Sequence, residues 1–162
     1  RSDSRSIQAR VYARDSDLTD LPDINVWLAL VDKRHVHHQA ASHYWETRAS
    51  ESLAFCRVTA MGFLRLSTHA RALANPLSPQ EAWTVYQQFL AIPILRFLAE
   101  LAGLDEHFNA LTGSHGLPHH LWTGAYLAAF CLEGNYRLVS FDNDYQRFPA
   151  LNFLDLSATD SH

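Results

Sequence analysis

The sequence predicts an α/β domain, and three observations carry that prediction. Short apolar runs alternate with longer stretches of helical period, no fixed-period repeat interrupts them, and acidic residues stand directly after two of the strand candidates. The first strand lies in "LTDLPDIN", which runs into a loop at Asp23 and Asn25, and "VWLALVD" then opens a helix with Val26 and Leu30 on one face. "HHQAASHYWETRAS" continues the helical pattern through Ala40, Ala41, Tyr44 and Trp45. "LAFCRV" is a short buried strand, and Thr59 precedes a helix in "AMGFLRLSTHARA".

Beyond the Pro76–Pro79 loop, Gln80 to Leu90 is an amphipathic helix with Ser78 as its cap and Pro79 at its first position, where a missing amide costs nothing. "AIPILRFL" is the next strand, and Leu101 to Leu111 the next helix. "TGSHGLP" turns the chain into a helix that begins at Pro118 and ends at Gly134 and Asn135. "YRLVSFDNDY" runs from strand to loop, and "NFLDL" is the last short strand. One letter disturbs this pattern: Gly124 inside "HLWTGAYLAAF" costs about 1 kcal/mol relative to alanine in a helix interior.

At 162 residues the chain suits a single domain, long enough to bury roughly 70% of the unfolded chain's surface. We place that domain at residues 21–158, after a polar segment at 1–20 that reads as a tail or upstream remnant. A net charge of −4 gives no general attraction to polyanions, so any nucleic acid needs a local basic patch or a bound cation. Cys56 and Cys131 lie far apart without a C-x-x-C motif, the pattern of buried reduced thiols. The sequence given has neither a long apolar span nor a leader pattern, so the expectation is a cytoplasmic protein with no membrane role.

In open parallel sheets, ligands bind beyond the carboxyl ends of the strands. Asp23 follows the first strand, and Asp142 and Asp144 follow "RLVSF". Carboxylates converging from separate strand ends suit a hard cation such as Mg²⁺ or Mn²⁺, which aligns a water and steadies charge on a phosphodiester. A single aspartate after a strand more often caps a turn or helix, so spacing alone leaves both roles open.

Three blocks taken together narrow the choice: "LPDINVWLALVDKRHVHHQAASHYWE", "FCRVTAMGFLRLSTHA" and "LPHHLWTGAYLAAFCLEGNYRLVSFDNDYQRFPALNFLDL". Their order and content, from about Leu21 to Leu156, resemble the PIN-domain family, specifically the VapC-type toxins of bacterial toxin-antitoxin (VapBC) systems. The resemblance implies a three-layer α/β/α fold with a central parallel sheet. It also implies Mg²⁺- or Mn²⁺-dependent cleavage of RNA, neutralisation by a VapB-like antitoxin, and a homodimer. Carried over by position, Asp23, Asp142 and Asp144 match the family's catalytic, metal-holding carboxylates, and Asn25 and Ser140 its supporting polar positions.

Two positions depart from the family. Ala60 stands where relatives carry Glu or Gln, and Gly124 where they carry Asp. Losing a central carboxylate removes charge and a donor from the ion, so affinity and hydrolysis should both fall. Two readings follow: a VapC-like ribonuclease with a weakened site, or a PIN binding module that keeps antitoxin and RNA but does not cut.

Other features have plainer readings. "HVHH" (His35, His37, His38) and "HGLPHH" (His115, His119, His120) lack the spacing and the cysteine partners of a zinc site, so they read as structural or exposed histidines. No G-x-S-x-G elbow supports a serine nucleophile. Trp27, Trp45, Trp83 and Trp122 fall in helices, where core or interface is the default. Trp122 and the "GFLRL" helix, with Arg65, are the expected dimer contact, while Lys33, Arg34, Arg137 and Arg147 flank the acidic strand ends as phosphate contacts or solvated charge.

Overall fold

The computed structural model describes residues 18–113 and 116–159. Most of the segment read as a tail, and His115, lie outside the described residues. The chain forms β1 (Thr19–Pro22), α1 (Ile24–Val31), α2 (His38–Thr47), β2 (Ser52–Cys56), α3 (Arg57–Ser67), α4 (Pro79–Leu90), β3 (Leu95–Leu98), α5 (Leu104–Thr112), α6 (Trp122–Gly134), β4 (Arg137–Ser140) and β5 (Phe153–Asp155). Single 3₁₀ turns occupy His119–Leu121, Asn143–Arg147 and Ser157–Thr159.

All the strand pairs are parallel, in the order β3-β2-β1-β4-β5. β1 is therefore the central strand, and all four of its residues are buried, as expected of a strand covered on both faces. It opens at Thr19, so Thr19 and Asp20 are part of the sheet. From β1 the chain proceeds outward through β2 and β3 on one side and through β4 and β5 on the other. The crevice between the carboxyl ends of β1 and β4 is the topological switch point, where such sheets take their ligands.

Two apolar clusters back the sheet. One gathers Val26, Trp27, Tyr44, Phe55, Phe63 and Tyr86 under α1–α4, with Trp27 stacked on Phe55 at 4.0 Å. The other gathers Leu21, Leu104, Leu127, Phe130 and Leu138 under α5 and α6. With helices on both faces, the three-layer architecture is the one expected. Where α1 meets α3 the helices approach so closely that a Cβ on Gly62 would overlap the Ile24 side chain, which explains that glycine. Both cysteines are buried free thiols.

Four boundaries differ from the sequence reading. Arg57 and Val58, read as strand, begin α3, because the Thr59 hydroxyl accepts the Cys56 N–H at 3.0 Å and closes the first turn there. The same helix ends at Ser67, leaving "THARA" outside it. α5 starts at Leu104 rather than Leu101, since Gly103 sits at φ 95°. Pro118 caps a 3₁₀ turn and α6 begins at Trp122, which makes Gly124 a first-turn residue and spares it much of the interior penalty.

Candidate functional site

Asp23 ends β1 and caps α1. Its Oδ1 accepts the Ile24 N–H at 2.8 Å, and its own N–H donates to the Val139 carbonyl of β4 at 2.8 Å, so backbone on both sides fixes it. Its Oδ2 accepts two hydroxyls, Ser140 at 2.8 Å and Tyr145 at 3.1 Å. The residue is only 9% exposed. Burial is the largest influence on it and raises the carboxyl pKa above the ordinary value of 3.8, against the lowering effect of Ser140, Ile24 and Tyr145.

Ser140, at the end of β4, joins the group. Its hydroxyl donates to Asp23 and accepts from the Asn25 side-chain amide at 3.0 Å and from the Asp142 N–H at 3.0 Å. One proton and two lone pairs are thereby all used. Asn25 also accepts the Phe141 N–H at 3.4 Å. The structure thus brings Asp23, Asn25 and Ser140 into one network at the switch point.

Asp142 and Asp144 stand at the outer side of this network. Asp142 caps the 3₁₀ turn, its Oδ1 accepting the Asp144 N–H at 2.9 Å, and both side chains are exposed. Negative charge at Asp142 adds to the rise at Asp23. Asp23 and Asp142 both perform the capping role that an aspartate after a strand ordinarily has; the chemistry rests on their remaining lone pairs.

The two departing positions differ in what surrounds them. Ala60 is fully buried and belongs to the first apolar cluster. Gly124 opens onto Tyr145: a Cβ built on it would lie 3.6 Å from the tyrosine Cε1 and Oη. Leu121, Gly124, Asp142, Asp144, Tyr145, Arg147 and Phe148 bound a crevice of about 20 Å³, room for one water. Tyr145 escaped the sequence reading, although a small residue at 124 and a tyrosine directly after "DND" are the pair of signals that mark it.

Among the described residues no three Asp, Glu, His or Cys side chains converge as a cage for a metal ion. Mg²⁺, however, commonly uses one or two carboxylates and takes its other oxygens from water and substrate phosphates. Asp23 Oδ1 keeps a lone pair beyond its helix cap, and Asp142 is exposed beside it in the network. These residues fit a divalent cation that arrives with a phosphodiester rather than one held permanently.

Of the flanking cations, Arg137 is a correction. It starts β4 at the opposite end of the sheet, where it makes bidentate bonds of 2.8 and 2.9 Å to buried Asp20. Lys33, Arg34 and Arg147 are exposed, and Arg147 lines the crevice itself. Among the histidines, His35 accepts the His37 N–H, His38 bonds the Ala29 carbonyl, and His37 stacks on Phe141 at 4.3 Å. No helix among the described residues is long and apolar enough to cross a membrane.

Comparison with known proteins adds to this geometry. The PIN-domain family model matches residues 21–151. Ribonuclease VapC41 of Mycobacterium tuberculosis is 37% identical over 134 residues, covering 79% of this chain and 92% of the relative. Ribonuclease VapC33 of the same organism is 31% identical over 140 residues, covering 83% and 96%. Among solved structures, M. tuberculosis VapC20, a Sarcin-Ricin loop cleaving toxin, superposes with a TM-score of 0.64 at 15% identity, covering 82% of this chain and 97% of that one. VapBC-1 of nontypeable Haemophilus influenzae gives 0.60 at 12% identity, covering 86% and 99%.

Proposed function

This chain belongs to the PIN-domain family and, within it, to the VapC ribonuclease toxins of VapBC toxin-antitoxin systems, and from that premise we propose that it acts in the cytoplasm as an endoribonuclease with a reduced carboxylate site. The observation that carries the reading is the network at the switch point, in which Ser140 and Asn25 fix Asp23 beside Asp142. Asp23, Asp142 and Asp144 are the carboxylates offered to Mg²⁺ or Mn²⁺. When bound, the cation supplies a polarised water and charge neutralisation at the phosphorus. Arg147 is placed to meet an RNA phosphate at the mouth of the crevice.

In this reading the domain is residues 21–158 together with Thr19 and Asp20, which belong to β1. A VapB-like antitoxin is its partner in this reading, in keeping with solved neighbours that are VapBC assemblies. The homodimer contact forms around Trp122, 48% exposed, and the "GFLRL" helix with Arg65; Val58 of that helix lines a surface hollow with Phe108, Trp122, Thr123 and Tyr126. An exposed tryptophan beside an apolar hollow suits an interface.

A second reading has its own support. Gly124 stands for a family carboxylate and Ala60 for a family Glu or Gln, and an inactive RNA- and antitoxin-binding module accommodates their loss. Incubating the chain with structured RNA in Mg²⁺ and in Mn²⁺ separates the two. The ribonuclease reading expects internal cleavage that EDTA and Asp142→Asn abolish; RNA retention without cleavage at any cation concentration contradicts it.

A further inference from the structure

The hydrogen bond from Tyr145 to Asp23 has a meaning that the carboxylate inventory does not reach. We propose that Tyr145 is a positioning residue that latches Asp23 in a cation-free state, its hydroxyl holding Oδ2 so that a divalent ion meets only the helix-capping Oδ1.

Three features of the geometry carry this. First, Asp23 Oδ2 has two lone pairs, and the Ser140 and Tyr145 hydroxyls take both, so a cation reaching that oxygen must displace one of them. Ser140 is anchored by Asn25 and by the Asp142 N–H; Tyr145 Oη has one hydrogen bond in the structure, the one to Asp23. The tyrosine is therefore the partner that gives way. Second, Gly124 faces the ring: a Cβ there would stand 3.6 Å from its Cε1 and Oη, in ordinary contact, so residue 124 borders the phenol where it meets Asp23. Third, Tyr145 is 5% exposed and packs on Phe153 at 5.5 Å, so the hydroxyl is held at Asp23 by burial rather than resting there from solvent.

Gly124 and Tyr145 are thus one unit. The tyrosine lies against Gly124 and gives the buried carboxylate a neutral donor where a metal would bind. The latch rests on the cation reading proposed above, and its test is chosen to separate the two. Titrate Mn²⁺ into the full chain, Tyr145→Phe and Asp142→Asn, following the loss of the free-Mn²⁺ paramagnetic resonance signal with no RNA present. Phenylalanine keeps the ring and its contact with Phe153, and unfolding temperatures in EDTA verify that the variants are folded.

The expected result is Mn²⁺ affinity about tenfold higher in Tyr145→Phe, the scale set by removing one competing hydrogen bond to a charged group. Asp142→Asn should weaken binding. Equal or weaker affinity in Tyr145→Phe, with binding still dependent on Asp142, overturns the latch and leaves the cation reading standing. If no variant binds Mn²⁺ at millimolar concentration, in this titration or in its repeat with a non-cleavable phosphodiester analogue, both are overturned.

Discussion

β1 carries two buried aspartates three residues apart, and their surroundings have opposite logic. Asp20 is wholly buried and receives the bidentate guanidinium of Arg137, the Tyr44 hydroxyl at 2.7 Å and the Ser50 N–H at 3.1 Å. Its charge has a full countercharge, and the bonds to Asp20 raise the Arg137 pKa in turn. Asp23, at the other end of the strand, has hydroxyls and a backbone amide but no cationic side chain, and burial raises its pKa. A buried carboxylate with its own arginine is a structural pin. One without is a charge still awaiting a partner, the arrangement found where a site binds something.

The comparison breaks most visibly at the pin. Asp20→Ala strands Arg137, whose side chain is only 20% exposed, and should cost about 3–5 kcal/mol in urea unfolding. A change under about 1 kcal/mol would mean that the pair is not structural. Tyr44→Phe removes one bond to a charged group and should cost about 1.5 kcal/mol or more.

Asp23→Asn should behave differently. Because the folded pKa lies above 3.8, the native state holds its proton more firmly than the unfolded chain, and the parent loses stability as pH rises from about 4 through that raised value. The asparagine variant lacks this loss. It should therefore gain on the parent across the same interval and unfold no more easily at pH 7. Parallel stability profiles for the two proteins would show that Asp23 is not destabilised by burial. Smallest is Arg147→Ala: stability within about 0.5 kcal/mol of the parent, with the salt dependence of RNA binding reduced by about one counterion. An unchanged salt slope would remove Arg147 from the RNA surface.

The Asp23 end was legible in the sequence and the Asp20 end was not, for a physical reason. Asp23 and Asp142 follow strands, a position defined by local pattern, and the order of the three blocks added the family. The Asp20–Arg137 pair spans 117 residues and exists only once β1 and β4 are in register, Asp20 opposite Arg137. Without that register, Arg137 looked like one more cation near the acidic loop. Tyr145 was hidden for a related reason: its hydrogen bond to Asp23 spans 122 residues and exists only once the loop after β4 lies over the end of β1. Helix starts at Arg57 and Leu104 shifted because a side-chain hydrogen bond and a positive φ decided them locally, against apolar runs that read as strand or helix.

The most direct measurement compares rates of RNA cleavage in Mn²⁺ for this chain and for Gly124→Asp. In the reading proposed above, a carboxylate at 124 adds a donor for the cation beside Tyr145. The account predicts a gain of at least the roughly tenfold that even an outer-shell partner is worth to a metal site. Equal rates in the two proteins would contradict it, because the vacancy at Gly124 would then limit nothing.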